Sequence, residues 1–394
     1  MADTRSAGRE RAVQLASEGK LEEALAEYQH LLASSPLDTE VRQRVAELLE
    51  WLGRKPEAST AYEAAAVAWA RADAPLRAMA ACVALSRLGA LPAARVRTTR
   101  ALAERFALPP GATQPAPGGV PLFSRLDAAA FTALLEALEA RALFPGQTVV
   151  EEGTPGTSMF ALVEGRAELS RTLEGGERKV VGTVGPGDFF GEVALISEGP
   201  RLASVVATER AVLLELSRGR LEAVAARHPQ VATVVEDFYR QRVVDNVLRT
   251  NPLFTRMTPE QKAAVALDFQ VRQVAPGEAL LTQGQPGDAF YVILRGGCTP
   301  WLEQLHGRRV ALAVLREGDV FGEISLLLDK PVSATVRADG AGVVLRLERA
   351  AFEKHLLSQP GLKGMLMRMG TERLQRTAQV MASGRVLHEG DLRV

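Results

Sequence analysis

From residue 121 onward the chain repeats itself without a gap. The tripeptide PLF at 121–123 returns at 252–254, and PG at 145–146 returns at 276–277. Gly153, Gly156, Gly165, Gly187, Gly191 and Glu192 return as Gly284, Gly287, Gly296, Gly318, Gly322 and Glu323. Pro200 and Pro229 return as Pro331 and Pro360. Every pair stands 131 residues apart, as Gly191 does from Gly322. So long a period, kept without insertion, marks tandem duplication of a whole domain. The texture within each copy is short β-branched runs broken by glycine. That predicts a helix, about eight short strands and a closing helix, arranged as a small antiparallel barrel or jelly roll.

A second, shorter repeat lies before the first. Ala12, Leu15, Gly19, Ala24 and Tyr28 match Ala46, Leu49, Gly53, Ala58 and Tyr62, each 34 residues on. Small residues let antiparallel helices approach, the tyrosines fill the gaps, and the glycine ends the first helix of each pair. Leu85, Gly89 and Ala94 suggest a third unit, with Thr98 where a large aromatic would stand. This region resembles the tetratricopeptide repeat in its period and in its Gly, Ala, Tyr and Pro positions, Pro36 included; a generic Ala-rich helical bundle is the alternative. Residues 107–121 are rich in proline and glycine and read as a linker. The expected fold class is α+β multidomain, with N-terminal α-helical repeat hairpins followed by two β-barrel or jelly-roll domains, each flanked by helices. The expected boundaries are 8–106 for the helical repeats, 107–121 for the linker, 122–250 and 251–380 for the two barrels, and 381–394 for a tail.

Charge and cysteine usage narrow the function. The 47 basic residues balance 47 acidic ones, which argues against the broad basic face that nucleic-acid binding needs. Two cysteines, Cys82 and Cys298, make neither a disulfide framework nor a zinc site, and five histidines show no metal-binding spacing. The polar start MADTRSAGRE does not read as a signal peptide, and no uncharged apolar run approaches a membrane span. A cytoplasmic protein is expected. No phosphate-binding P-loop, nucleophile elbow or kinase signature is present, so no enzyme is expected.

The segment GDFFGEVALISEGPRLASVVA (187–207) carries the densest chemistry. Gly191 permits a tight turn and close approach of a ligand to the backbone. The stretch EVALIS suits a short helix whose first N–H groups lack intrahelical partners and favour an anion. Glu192 suits a ligand that carries a hydroxyl beside its anionic group. Arg201 supplies a fork of donors suited to two phosphate oxygens, and Ser204 adds a hydroxyl. Together they fit a sugar bearing a phosphate.

At these residues, FGEVALISEGPRLASV resembles the phosphate-binding cassette of the cyclic-nucleotide-binding domain, a domain of cAMP-dependent kinase regulatory subunits, gated channels and bacterial catabolite-activator regulators. The resemblance covers about 122–380 and implies roles by position. Glu192 would hold the ribose 2′-hydroxyl and Arg201 the cyclic phosphate. The backbone amides of Gly191, Glu192 and Ala203, with the Ser204 hydroxyl, would complete a cradle that also includes Val193. Members preferring cGMP often carry Thr or Ser after the arginine; Leu202 stands here, so cAMP is the expected ligand and cGMP the alternative. In the helix after the barrel, the apolar spacing of Val231, Val234, Val235 and Phe238 places Phe238 in the core and leaves Tyr239 as the candidate lid over the base.

The second copy keeps Gly322, Glu323, Ser333, Ala334 and Thr335, but Val332 stands where the arginine belongs. A charge-assisted hydrogen bond contributes about 1.5–3 kcal/mol, so its affinity for a cyclic nucleotide should fall by one to two decades or more. Neither Lys330 nor Arg337 occupies the arginine's position. The expected function is a cyclic-nucleotide-responsive regulatory or adaptor protein, with ligand in the first barrel and a protein partner on the helical repeats. A protein-interaction scaffold whose barrels have lost nucleotide binding is the alternative.

Overall fold

Three helical hairpins open the chain: α1 (Ala2–Ser17) with α2 (Leu21–Ser34), α3 (Thr39–Trp51) with α4 (Lys55–Arg71), and α5 (Pro75–Arg87) with α6 (Pro92–Phe106). The structure, a computed structural model, describes residues 2–89, 92–112, 120, 122–172, 176–192, 201, 203–304 and 308–383. Each hairpin turns on the glycine that the repeat places there. Gly19, Gly53 and Gly89 sit at φ of 77°, 73° and 67°. At the first two turns, the next residue's N–H reaches back to Leu15 and Leu49, closing the last carbonyls of the helix. Tyr28 and Tyr62 are buried between helices, with the Tyr62 hydroxyl donating to Glu50 at 2.7 Å. In the third hairpin Thr98 is buried and bonds its own helix at Ala94. The region is a set of helical repeats.

Each duplicated copy is a pair of four-stranded antiparallel sheets. In the first, β1 (Glu139–Leu143), β8 (Ala211–Ser217), β3 (Ser158–Glu164) and β6 (Phe189–Phe190) form one sheet in that order. β2 (Thr148–Val150), β7 (Ser204–Ala207), β4 (Ala167–Thr172) and β5 (Arg178–Val184) form the other. Helix α7 (Ala128–Glu136) precedes the barrel, while α8 (Arg218–Ala225) and α9 (Gln230–Thr250) follow it. After α10 (Pro259–Ala266), the second copy repeats the topology as β9–β16–β11–β14 and β10–β15–β12–β13. Those strands are β9 (Phe269–Val274), β10 (Ala279–Leu281), β11 (Ala289–Arg295), β12 (Cys298–Glu303), β13 (Arg309–Ala311), β14 (Val320–Phe321), β15 (Thr335–Ala338) and β16 (Gly342–Glu348). A short helix α11 (Glu323–Leu328) sits between β14 and β15. Then come α12 (Arg349–Phe352), a π-helical turn at Glu353–Leu357 and α13 (Pro360–Ser383). Two jelly-roll domains therefore follow the helical repeats, each flanked by helices.

Two compact units divide the chain, Met1–Phe238 and Tyr239–Val394. In the first, one apolar cluster runs from the helical repeats into the barrel. It takes in Leu48, Leu49, Ala81 and Leu85 from the helices and Met159, Ala161, Val163, Leu214 and Leu216 from the strands. A separate cluster fills the barrel itself, with Phe160, Leu162, Phe190 and Leu213. Strand alternation explains the split, because neighbouring residues of β3 face opposite sides of the sheet. Phe238 belongs to the first cluster and meets Phe189 edge-on at 5.2 Å, as the helical spacing predicted. Among the described residues, no helix is long and apolar enough to cross a membrane, and no cluster of His, Cys, Asp and Glu would hold a metal ion.

Candidate functional site

The site of the first barrel is built where β6 ends. Gly191 follows Phe190 with φ of 77°, a conformation that suits glycine. Space is the second constraint: a Cβ there would stand 2.6 Å from Arg201 Nη1 and 3.1 Å from the Ser158 carbonyl oxygen. Arg201 is half-buried. Its Nη1 donates to the Gly191 carbonyl at 3.1 Å and its Nη2 to the Ser158 carbonyl at 2.7 Å. The guanidinium lies 5.8 Å from the ring centroid of Phe160, which stacks on Phe190 at 5.2 Å. Burial pulls its pKa below the ordinary arginine value, while Glu215 and Glu192 pull it back.

The Arg201 backbone is pinned on both sides. Its N–H donates to Thr154 at 2.8 Å, and its carbonyl accepts from Gly153 at 2.9 Å. Ser204 is fully buried; its hydroxyl accepts from the Glu152 N–H at 3.0 Å and from Arg178 Nη2 at 3.3 Å. Those two bonds use both lone pairs of the oxygen, which leaves the O–H as a donor. Glu192 and Ala203 are half-buried beside these groups in sequence. Val193, Leu202 and the rest of the EVALIS segment lie outside the described residues. Tyr239 is buried on α9.

Arg178 was not singled out from the sequence. It lies at the start of β5, a largely exposed strand, and its link to Ser204 crosses from one strand of the sheet to another. No spacing rule connects the two positions.

The second copy reproduces the backbone of the first. The Val332 N–H donates to Gln285 at 2.9 Å, and its carbonyl accepts from Gly284 at 2.9 Å, as in the Arg201 segment. Thr335 Oγ1 accepts from the Gln283 N–H at 3.0 Å, as Ser204 does from Glu152. Gly322 has φ of 90° and leads into α11. Phe321 stacks on Tyr291 at 4.8 Å, as Phe190 does on Phe160.

Side chains separate the copies. Val332 is 5% exposed and packs in an apolar cluster with Leu281, Ala289, Tyr291 and Phe321. Ser325 donates its hydroxyl to the Gly322 carbonyl at 3.0 Å, the acceptor that corresponds to the Gly191 carbonyl used by Arg201. Ser333 is exposed, and Ala334 is buried.

Glu323 does meet a cation in this copy. Arg373, on α13, donates to Glu323 Oε1 at 2.8 Å and to the Val320 carbonyl at 2.6 Å. Glu323 is 1% exposed, and its burial outweighs Arg373, raising the carboxyl above its ordinary pKa. Gly370, about one helical turn before Arg373, lies against Ile324 and Leu327 of α11. Lys330 and Arg337 are the cations nearest to Val332 in the sequence. Arg337 donates to the Gly277 carbonyl at 2.9 Å, and Lys330 is exposed.

The family model described as "Cyclic nucleotide-binding domain" matches residues 140–228 and 271–359. A cAMP-dependent protein kinase regulatory subunit of Yarrowia lipolytica is 30% identical over 236 residues, covering 60% of this chain and 58% of the relative. One from Emericella nidulans is 30% identical over 245 residues, covering 60% and 57%. The matches thus span under two thirds of those relatives' length. The regulatory domain of Toxoplasma gondii PKA, crystallised with cAMP, is 26% identical, with 64% of this chain and 92% of that one covered at a TM-score of 0.33. The family model thus matches both copies of the duplicated unit, one with Arg201 at the cassette position and one with Val332 in that place.

Proposed function

We propose that the chain is a cyclic-nucleotide-responsive regulatory protein that takes cAMP in its first barrel and has no catalytic step of its own. One observation carries the reading: Arg201 is held at the mouth of a glycine turn with both terminal nitrogens on backbone carbonyls, beside Glu192 and a buried Ser204 hydroxyl. A cyclic phosphate exchanges those two neutral acceptors for charged ones, which form the stronger bonds. Glu192 accepts from the ribose 2′-hydroxyl, and Ser204 donates its remaining proton. Leu202 has no hydroxyl for a guanine amino group, so cGMP is the weaker ligand. The names of the relatives support cAMP and a regulatory role.

In the same reading, residues 122–250 and 251–380 are the two nucleotide-domain copies, and the second is degenerate at Val332. Residues 8–106 are a tetratricopeptide-like module for a protein partner. The relatives' names make a protein kinase the first partner to test. The setting is cytoplasmic.

Calorimetry of the full chain with cAMP and cGMP is the direct test, paired with Arg201→Ala. Loss of the paired bonds should weaken cAMP by about 30-fold or more, at roughly 1.4 kcal/mol per decade. Absence of heat with either nucleotide would favour a scaffold with vestigial barrels. Binding that survives Arg201→Ala unchanged would move the site elsewhere.

A further inference from the structure

We propose that the helical repeats are the intramolecular output of the first barrel, docked through a four-residue charge cluster and coupled to Arg201 by strand β3. The coupling rests on the reading of Arg201 as the ligand-holding residue; the docking does not.

The cluster joins α3 to the barrel. Arg44 donates to Glu47 at 2.7 Å and also pairs with Glu164. Arg210 reaches Glu47 at 3.0 Å and Glu164 at 3.6 Å, and its guanidinium lies 5.9 Å from the Trp51 ring. Two cations and two anions alternate, so each charge meets opposite charges from both elements. Glu47 is buried and the other three are partly buried, a setting in which removing one partner leaves the rest poorly compensated. Apolar packing continues beneath. Met159, Ala161 and Val163 of β3 share a buried cluster with the helices, and α5 packs directly on β3.

Strand β3 has the nucleotide site at one end and the docking cluster at the other. Ser158 opens it and accepts from Arg201. Glu164 closes it and pairs with Arg44. Its inward residue Phe160 lies under the Arg201 guanidinium, while the residues on either side face the helical module. A ligand that draws Arg201 away from the Ser158 carbonyl therefore acts on the element that carries the docking carboxylate.

The duplication supplies an internal control. In the second copy the positions of Glu164 and Arg210 hold Arg295 and Ala341. Both docking charges occur in the copy with the cassette arginine, and neither occurs in the copy with Val332.

Hydrogen exchange in α3 of the full chain tests the proposal. Glu164→Gln with Arg210→Ala should speed exchange in Thr39–Trp51; unchanged protection overturns the docking. Arg201→Ala without nucleotide should change exchange in the same helix by at least about fivefold, the lower end of ordinary coupling. Unchanged exchange there overturns the coupling, whether or not cAMP binds. If the wild-type chain takes up cAMP, linkage requires the Glu164→Gln, Arg210→Ala chain to differ in cAMP affinity by the factor with which cAMP alters docking. Equal affinities overturn the coupling. If wild-type calorimetry gives no heat, the ligand assignment fails, and the two exchange measurements still decide the docking and the coupling.

Discussion

Removing Arg373 should loosen the second barrel in a pH-dependent way. Arg373→Ala takes away the donor to Glu323 Oε1 at 2.8 Å and to the Val320 carbonyl at 2.6 Å. Breaking a buried pair by deleting one partner costs about 3–5 kcal/mol. The Arg373 side chain is 26% exposed, and Glu323 is able to take up a proton, so the expected loss is about 2–4 kcal/mol at neutral pH. For a unit of this size that lowers the midpoint by roughly 4–16 °C. The sign follows from the Glu323 carboxyl, whose pKa burial already holds above the ordinary value and which rises further without its cation. The folded state then binds more protons than the unfolded state over that window. Stability is retained below the unfolded pKa and lost as pH rises through the folded one. Differential scanning calorimetry of the full chain, with Arg373→Gln as a milder companion, measures both effects. A midpoint change under about 1 °C in both variants, or a loss greater at pH 5 than at pH 8, would falsify the assignment of Arg373 as the partner of Glu323.

Other substitutions probe the remaining contacts. Gly191→Ala should keep the fold but weaken cAMP binding by roughly tenfold or more, since it combines a left-handed backbone with collisions at Arg201 and the Ser158 carbonyl; calorimetry within twofold of wild type would exclude that geometry. Asp268 accepts from His355 at 2.6 Å, and that bond is the main cause holding its carboxyl below the ordinary value. Its contribution is present above the unfolded pKa, near 3.8, and lost as pH falls through the lowered folded value. Melting Asp268→Asn beside wild type should show a gap that closes on acidification; a gap that widens would reverse the assignment.

Much of the fold was legible because its signals are local. Gly19 and Gly53 end helices through one backbone conformation, which the repeat exposes whatever surrounds it. Gly191 and Gly322 mark the same turn twice, and an unbroken spacing carries the strand order of one barrel onto the other. The same register singles out Val332, which packs in an apolar cluster just ahead of β15. Phe238 was placed by helical periodicity. Less legible was what the polar groups do in detail. Ser204 was read as a donor, and its oxygen also accepts from Glu152 and Arg178 on two other segments.

Duplication, helical pairing, turn positions and the missing cassette arginine all follow from residue types at fixed spacing, because backbone conformation and strand alternation are set by near neighbours. Partner choice among the charges does not. Glu323 finds Arg373 fifty residues on, and Glu47 finds Arg210 on a barrel turn that no periodicity relates to α3. Arginine and carboxylate side chains recur along the whole chain with little local preference. Which of them meet, and which of those meetings are buried enough to matter, depends on how sheets and helices pack. The arginine at 201 could be read as a ligand residue from its motif; its bond to Ser158, and through β3 its connection to the helical repeats, came from packing alone.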